Sequence, residues 1–460
     1  MVLRYRSLMG GSQHDVEDYI SSMEDDRELA KYISIVYLAH LKSLISKGYI
    51  PINKDAVKLE SELVGLIQSN CEDVYKWVKH ENLIYEDFFE ALESYLHHKV
   101  GAVAGYLALG RSRNDHVAAV LRLYIRDKLI ELLVELLKLR KALLERAARY
   151  SGIIIPYFTH RQIAQCGDAS IYFLSHLHTY TKLWRIIISN LDLLTENPLG
   201  AGPAAGTLVD HDFKLLAENL CLNESQIPPY YATGSRLFLL HALSDIALLL
   251  SEISRLAEDM FMLNLYARDA IEPPVEHVAT SSIIPHKRNL VTLEVARAKA
   301  NLILGFLTSA ISTYSSLPYG YNLELQELNK VFMETIKTSI DTLRIVGDFI
   351  KRLEICPETL DSLVTNTTCW SAEFVEYVSI ESKKPTRQVY FEIGELIKEG
   401  RVVNELYIDV KKLALAKPVA VKLKEAMSEY EGFIREDEET LSKLIKNLSE
   451  CGNKLLKVHS

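Results

Sequence analysis

The sequence predicts an all-α protein built around a bundle of long helices. Three observations carry that prediction. Glycine (20) and proline (13) are scarce in 460 residues, about 4% and 3% against usual levels of about 7% and 5%. Four stretches contain neither residue: 111–151, 168–197, 235–272 and 321–346. Within the first, Val117, Leu121, Tyr124, Ile125 and Leu129 recur at helical spacing, and Leu132, Leu133 and Leu136 continue it. Gly and Pro are the residues a helix interior tolerates least. A helix of 25 to 40 residues is roughly 40–60 Å long and must pack along others of its kind.

Short polar or Gly/Pro-rich pieces separate the helices. They are Gly110 to Asp115, Pro156 to His160, Pro198 to Gly206, Pro273 to Asn289 and Pro318 to Gly320. Loops as long as 273–288 are often functional. Shorter helical patterns flank the long-helix region. Boundaries near residues 105 and 354 divide the chain into an N-terminal helical domain (1–105), a central bundle domain (106–353) and a C-terminal helical domain (354–460).

The formal net charge of −9 lacks the basic excess of a nucleic-acid binder. No uninterrupted apolar run reaches the length that spans a bilayer, and Met1 to Gly10 has no apolar core of a signal peptide. A cytoplasmic protein without nucleic-acid or membrane partners is expected. Cysteines 71, 166, 221, 356, 369 and 451 are widely scattered, with no Cys-x-x-Cys pair. Reduced thiols, with neither a disulfide framework nor a zinc site, are the expectation.

Three connections carry chemistry. Gly110-Arg111-Ser112-Arg113-Asn114-Asp115 sets two cations, a hydroxyl, an amide and a carboxylate before a long helix. Asn114 or Asp115 would cap that helix, and a helix N-terminus with arginines nearby favours a carboxylate or phosphate. Thr159-His160 places a hydroxyl beside an imidazole. His176 and His178, at i and i+2, do not share a helix face and make a poor metal pair. Thr280-Ser281-Ser282-Ile283-Ile284-Pro285-His286-Lys287-Arg288-Asn289 joins hydroxyls, cations and an amide in the long loop. There is no nucleophile elbow and no glycine-rich nucleotide loop.

In this order and at these spacings, the segments resemble the argininosuccinate lyase branch of the fumarase/aspartase superfamily, over most of the chain. Gly110 to Asp115 matches Gly-Arg-Ser-Arg-Asn-Asp. Tyr157-Phe158-Thr159-His160-Arg161-Gln162 with Ala164-Gln165 is similar to Gly-Tyr-Thr-His-x-Gln-x-Ala-Gln. Pro198 to Thr207 is similar to Pro-Leu-Gly-Ala-Gly-x-x-Ala-Gly-Thr. Ser281 to Asn289 resembles Ser-Ser-x-Met-Pro-x-Lys-x-Asn, and Tyr321 to Glu327 resembles Tyr-Asn-x-x-x-Gln-Glu.

The resemblance implies a three-domain subunit and a homotetramer with a twenty-helix core, each active site built from three subunits. It implies reversible elimination of argininosuccinate to arginine and fumarate, in arginine biosynthesis, with neither metal nor cofactor. Ser281 and His160 would move protons, and Lys287 would hold the carboxylate that gathers charge. Arg111, Ser112, Arg113, Asn114, Thr159, Asn289, Tyr321 and Gln326 would bind substrate.

Several positions depart from the pattern. The family's substrate-binding Ser falls at Tyr37. The Lys three residues after Gln326 is Asn329, with Lys330 one residue late. The Gly before Ser281 is Thr280. Ser-Asp-Arg-Asp reads Gly234-Ser235-Arg236-Leu237. Another fumarate-releasing lyase, on an adenylosuccinate- or aspartate-like substrate, and an inactive crystallin-like relative are the alternatives.

Overall fold

The computed structural model describes residues 14–267, 269–400 and 409–459. Helices α1 (His14–Ile20), α2 (Ala30–Ser46), α3 (Lys54–Gln68), α4 (Glu72–Glu81) and α5 (Phe88–Val100) form the first part. Asn53 caps α3 through the amides of Asp55 and Ala56, and Asp87 caps α5 through the amide of Glu90. A 3-10 segment, Gly101–Ala108, leads to α6 (Arg113–Arg149).

Five long helices make the bundle: α6, α7 (Ala169–Asn190), α10 (Leu237–Tyr266), α11 (Val291–Ser315) and α12 (Leu325–Arg352). α6 packs on α7 and α12, α10 on α7, α11 and α12, and α11 on α12. Leu121, Leu129, Leu132, Leu136, Leu139 and Leu143 of α6 are all buried, so the helical periodicity read from the sequence faces the core. α10 is long and apolar enough to cross a membrane by length and composition, and more than half of its most apolar stretch is buried inside the fold. Here it is a core helix.

Short helices α8 (Phe213–Leu220) and α9 (Pro229–Gly234) precede α10. After α12 come α13 (Pro357–Asn366), α14 (Ser371–Ser382), α15 (Thr386–Lys398), α16 (Val410–Leu415), α17 (Pro418–Val421) and the long α18 (Leu423–Leu455). α18 returns along α6 and α8. There the buried Arg140 pairs with Asp437 at 2.7 Å. One core cluster runs from Met23 to Leu455.

Two findings correct the sequence reading. Residues 156–160 belong to a β-hairpin, β1 (Ile154–Thr159) against β2 (Gln162–Asp168), and not to an irregular connection. His160 and Arg161 form its two-residue turn with φ of 53° and 61°. Such turns favour Asn-Gly, and His-Arg carries no such signal. The thiols are not all reduced: Cys166 is bonded to Cys369 and Cys221 to Cys451, while Cys71 and Cys356 are free. Separations of 203 and 230 residues leave no local pattern to read, and only folding brings the Cα atoms to 5.3 and 6.0 Å.

Candidate active site

The predicted site residues collect at two places. The first is the N-terminus of α6. Ser112 is the N-cap and Asp115 closes a capping box with it, so the cap lies two or three residues before Asn114 or Asp115, where the sequence placed it. Asp115 also accepts from the amide of Gly202 at 2.9 Å, joining the 110–115 loop to the 198–206 loop. Gly110 sits at φ 71°, and a Cβ there would lie 2.5 Å from Val209 Cγ2, so the loop requires glycine.

Not every residue of this loop turns toward a ligand. Arg111 donates to Leu107 O at 2.7 Å, pairs with Glu93 and lies 4.7 Å from the ring centroid of Tyr37. The Ser112 hydroxyl is occupied by the amide of Asn114. Arg113 pairs with Asp87 and Glu86 and lines a cavity of about 110 Å³ together with Asn114, Tyr321 and Gln326.

Ser22, Asp26, Arg236 and Asn329 complete that cavity. Arg236 is fully buried. Its Nη1 donates to Thr233 O and Ser235 O, while Nε and Nη2 have no hydrogen-bond partner among the described residues. Burial pulls its guanidinium down to about 10. The Oδ1 of Asn329 is likewise buried and without a partner among the described residues. Burial, then the charge of Asp87, pushes the Asp26 carboxyl up to about 7. A buried guanidinium with two spare donors is a receptor for a carboxylate.

The second place lies at the other end of the bundle. Thr159 and His160 are exposed at the hairpin tip. Tyr266 at the end of α10 donates to Arg161 O at 2.5 Å, and its ring packs on Phe158 at 5.3 Å. The long loop is closed at its base by paired backbone bonds between Ala279 and Asn289. Ser281 Oγ accepts from the amide of Ile283, and Lys287 lines a cleft with Asn264, Leu265 and Asp269. Glu258 of α10 reaches both sides, Arg161 at 3.8 Å and Arg297 of α11 at 2.9 Å.

One chain therefore divides the site residues. Tyr321 follows the last turn of α11 and Asn289 precedes its first, so about 37 Å of helix separates them. α6 puts about 55 Å between Arg113 and the hairpin.

Known proteins share this chain's sequence and fold. The family model described as "Lyase" matches residues 21–305. The argininosuccinate lyase of Sulfurisphaera tokodaii is 35% identical over 437 residues, 94% of each chain. That of Pyrococcus furiosus is 33% identical over 460 residues, 96% of this chain and 97% of its own. The chain belongs to the argininosuccinate lyase family. Among solved structures, an EDDS lyase in complex with formate matches with a TM-score of 0.79 at 18% identity, covering 93% of this chain and 90% of its own. A class II fumarase from Schistosoma mansoni matches at 0.71 and 14% identity, over 89% and 94%. Both speak for the fold.

For a member of the argininosuccinate lyase family, the departures sort by position. Tyr37 is fully buried, donates to Glu93 at 2.8 Å and packs edge-on against His116; it does not line the cavity, and Ser22 does. The departure placed at Tyr37 therefore lies outside the cavity. Lys330 pairs with Asp25 at 2.9 Å and Glu327 at 3.6 Å, so it does not stand in for a lysine at 329. Asn329 and Arg236 do face the cavity. Sequence reasoning named Arg236 only as part of a departing segment and missed Ser22 and Asp26. The available signal was the Ser-x-x-x-Asp spacing, which puts both on one side of a helical turn.

Proposed function

We propose that this chain is an argininosuccinate lyase, cleaving argininosuccinate reversibly into arginine and fumarate in arginine biosynthesis. The observation that carries the reading is the 33–35% identity to argininosuccinate lyases over at least 94% of this chain. The retained segments, from Gly110 to Glu327, support it.

In the elimination, a base takes a proton from the carbon next to a carboxylate. The C–N bond on the neighbouring carbon breaks, and the departing guanidino nitrogen gains a proton. Ser281 and His160 perform the transfers, and Lys287 with Asn289 stabilises the carboxylate as it gathers charge. Thr159 and Asn114 orient the succinyl part. Arg236, Tyr321 and Gln326 hold the arginine part, with Arg111 and Ser112 shaping the loop behind Asn114. A serine needs its pKa lowered to act as a base, so Lys287 and closure of the 280–288 loop matter.

The two half-sites meet only between copies. A homotetramer with a twenty-helix core and sites shared among three subunits fits the separation of the two places. It also fits the exposed apolar side chains of α11, namely Val295, Leu302, Leu304 and Ile311. The division at residues 105 and 354, a cytoplasmic location and independence from metal and cofactor belong to the same reading. A different fumarate-releasing substrate is the second reading, favoured by Asn329 in the cavity.

Ultraviolet absorbance of fumarate tests both, with argininosuccinate, adenylosuccinate and aspartate supplied in parallel. Fumarate from argininosuccinate alone is expected. Release from another substrate selects the second reading. No release from a folded assembly rejects both and leaves the inactive relative.

A further inference from the structure

The hairpin that presents Thr159 and His160 is anchored at two ends. Its tip is held by α10 through Tyr266 and Glu258. Its root is held by the C-terminal part of the chain. Cys166 on β2 is bonded to Cys369, between α13 and α14, and both are buried. Ile154, Val364 and Ala414 pack around the bond. Lys417 donates to Cys166 O at 2.7 Å and pairs with Glu373. Gln165 donates to the same Glu373 at 3.2 Å.

The hairpin needs such anchoring. Two isolated strands are marginal in water. The turn holds two non-glycine residues at positive φ, a conformation that L side chains resist. The register shifts between Tyr157 and Phe158, which weakens the ladder beside the tip. Cys166 pairs with Pro156, and Thr159 with Gln162, so the cross-link lies about 14 Å along β2 from the turn.

We propose that the Cys166–Cys369 cross-link is a positioning element for His160: intact, it fixes the hairpin root so that the turn presents the imidazole in one orientation. A dithiol reductant opens it. Two electrons and two protons pass from the dithiol, which closes to its own disulfide, and two protein thiols result. The hairpin root then keeps only its noncovalent contacts with Lys417 and Glu373, the turn loses its fixed orientation and the elimination slows. The link to turnover rests on the function proposed above; the link to hairpin order does not.

The test uses the full chain purified without reductant. Alkylation and peptide mass mapping are expected to find Cys166 joined to Cys369; free thiols at both in the native protein would overturn the proposal. Dithiothreitol-treated wild type and Cys369→Ser are each expected to lose at least fivefold in kcat with KM changed less than twofold. Dithiothreitol should add nothing to Cys369→Ser. The control is Cys451→Ser, which removes the other cross-link, Cys221–Cys451, and is expected to keep kcat within twofold. Equal losses in both variants, or an unchanged kcat in Cys369→Ser, would overturn the positioning role. Should Cys369→Ser fail to fold, reduction of folded Cys451→Ser, which keeps Cys166–Cys369 and has lost Cys221–Cys451, gives the same comparison.

Hydrogen exchange supplies a readout independent of activity. Amides between residues 157 and 165 are expected to exchange at least tenfold faster after loss of Cys166–Cys369 and not after loss of Cys221–Cys451. Absence of fumarate release from wild type would reject the proposed function, and the exchange comparison would still decide the clamp.

Discussion

The guanidinium carbon of Arg236 lies 5.8 Å from the ring centroid of Tyr321, and its two unpartnered nitrogens belong to a side chain with no exposed surface. A fixed cation with a planar fork is suited to a bidentate carboxylate, and lysine cannot reproduce that geometry. Arg236→Lys is therefore expected to raise KM for argininosuccinate at least tenfold while the fold survives. Steady-state kinetics with a thermal melt check it. An unchanged KM would remove Arg236 from substrate binding.

Asn329 offers a buried acceptor, Oδ1, that nothing among the described residues satisfies. Leaving such a group unpaired costs about 1–3 kcal/mol. Asn329→Leu should stabilise the unliganded protein by about that order while weakening substrate binding. Denaturant unfolding and KM, measured together, test the opposition. A variant that loses stability and keeps its KM shows that Oδ1 does not serve the substrate.

Gly234 ends α9 under the 319–321 loop. A Cβ there would lie 1.9 Å from Tyr319 O, so Gly234→Ala must displace the backbone that leads to Tyr321. The expected result is a loss of about 1–3 kcal/mol in stability and a raised KM. A melt and kinetics superimposable on wild type would mean that the loop relaxes freely.

Ser281 is half-exposed in its loop, bonded only locally to Ile283 N. Ser281→Ala should abolish fumarate release and leave the melting temperature within the scatter of wild type, because exposed loop hydroxyls rarely hold a fold. Turnover near the wild-type rate would take Ser281 out of the mechanism.

Three buried histidines cluster behind the 110–115 loop, His116 edge-on and His211 tilted at 5.0 and 5.4 Å from His40. Arg111 and Tyr37 also border the cluster, and Gly110 O meets His211 Nε2 at 3.0 Å. Burial holds the imidazole of His40 down to about 3, with His211 and Arg111 adding to it, and holds His116 and His211 below the usual histidine range. In the unfolded chain all three take up protons near pH 6.5. The unfolded state then binds more protons than the folded one, so stability falls as pH drops below about 6.5. Each histidine contributes a limiting slope of about 1.4 kcal/mol per pH unit. Unfolding at several pH values should show His116→Gln with a shallower acid limb, and equal slopes would show that His116 charges within the fold.

The sequence by itself determined the all-α class and the long helices, because their signal is local: an absence of Gly and Pro, and apolar residues such as Leu121 to Leu136 repeating at helical spacing. It also offered candidates for the chemistry, Gly110 to Asp115, His160 and Ser281 to Asn289, all in the connections. Tertiary structure decided what local pattern does not encode. The turn at His160 and Arg161 adopts positive φ with Tyr266 of α10 bonded at its tip, against the preferences of those residues. Cys166 and Cys369, 203 residues apart, meet only where the C-terminal segments pack against β1 and β2. Arg111 turned to Glu93 while Arg236, from a segment departing from the pattern, entered the cavity with Ser22 and Asp26. The reason is physical: which cation faces a ligand depends on which carboxylate the fold sets beside it, and that neighbour lies far along the chain.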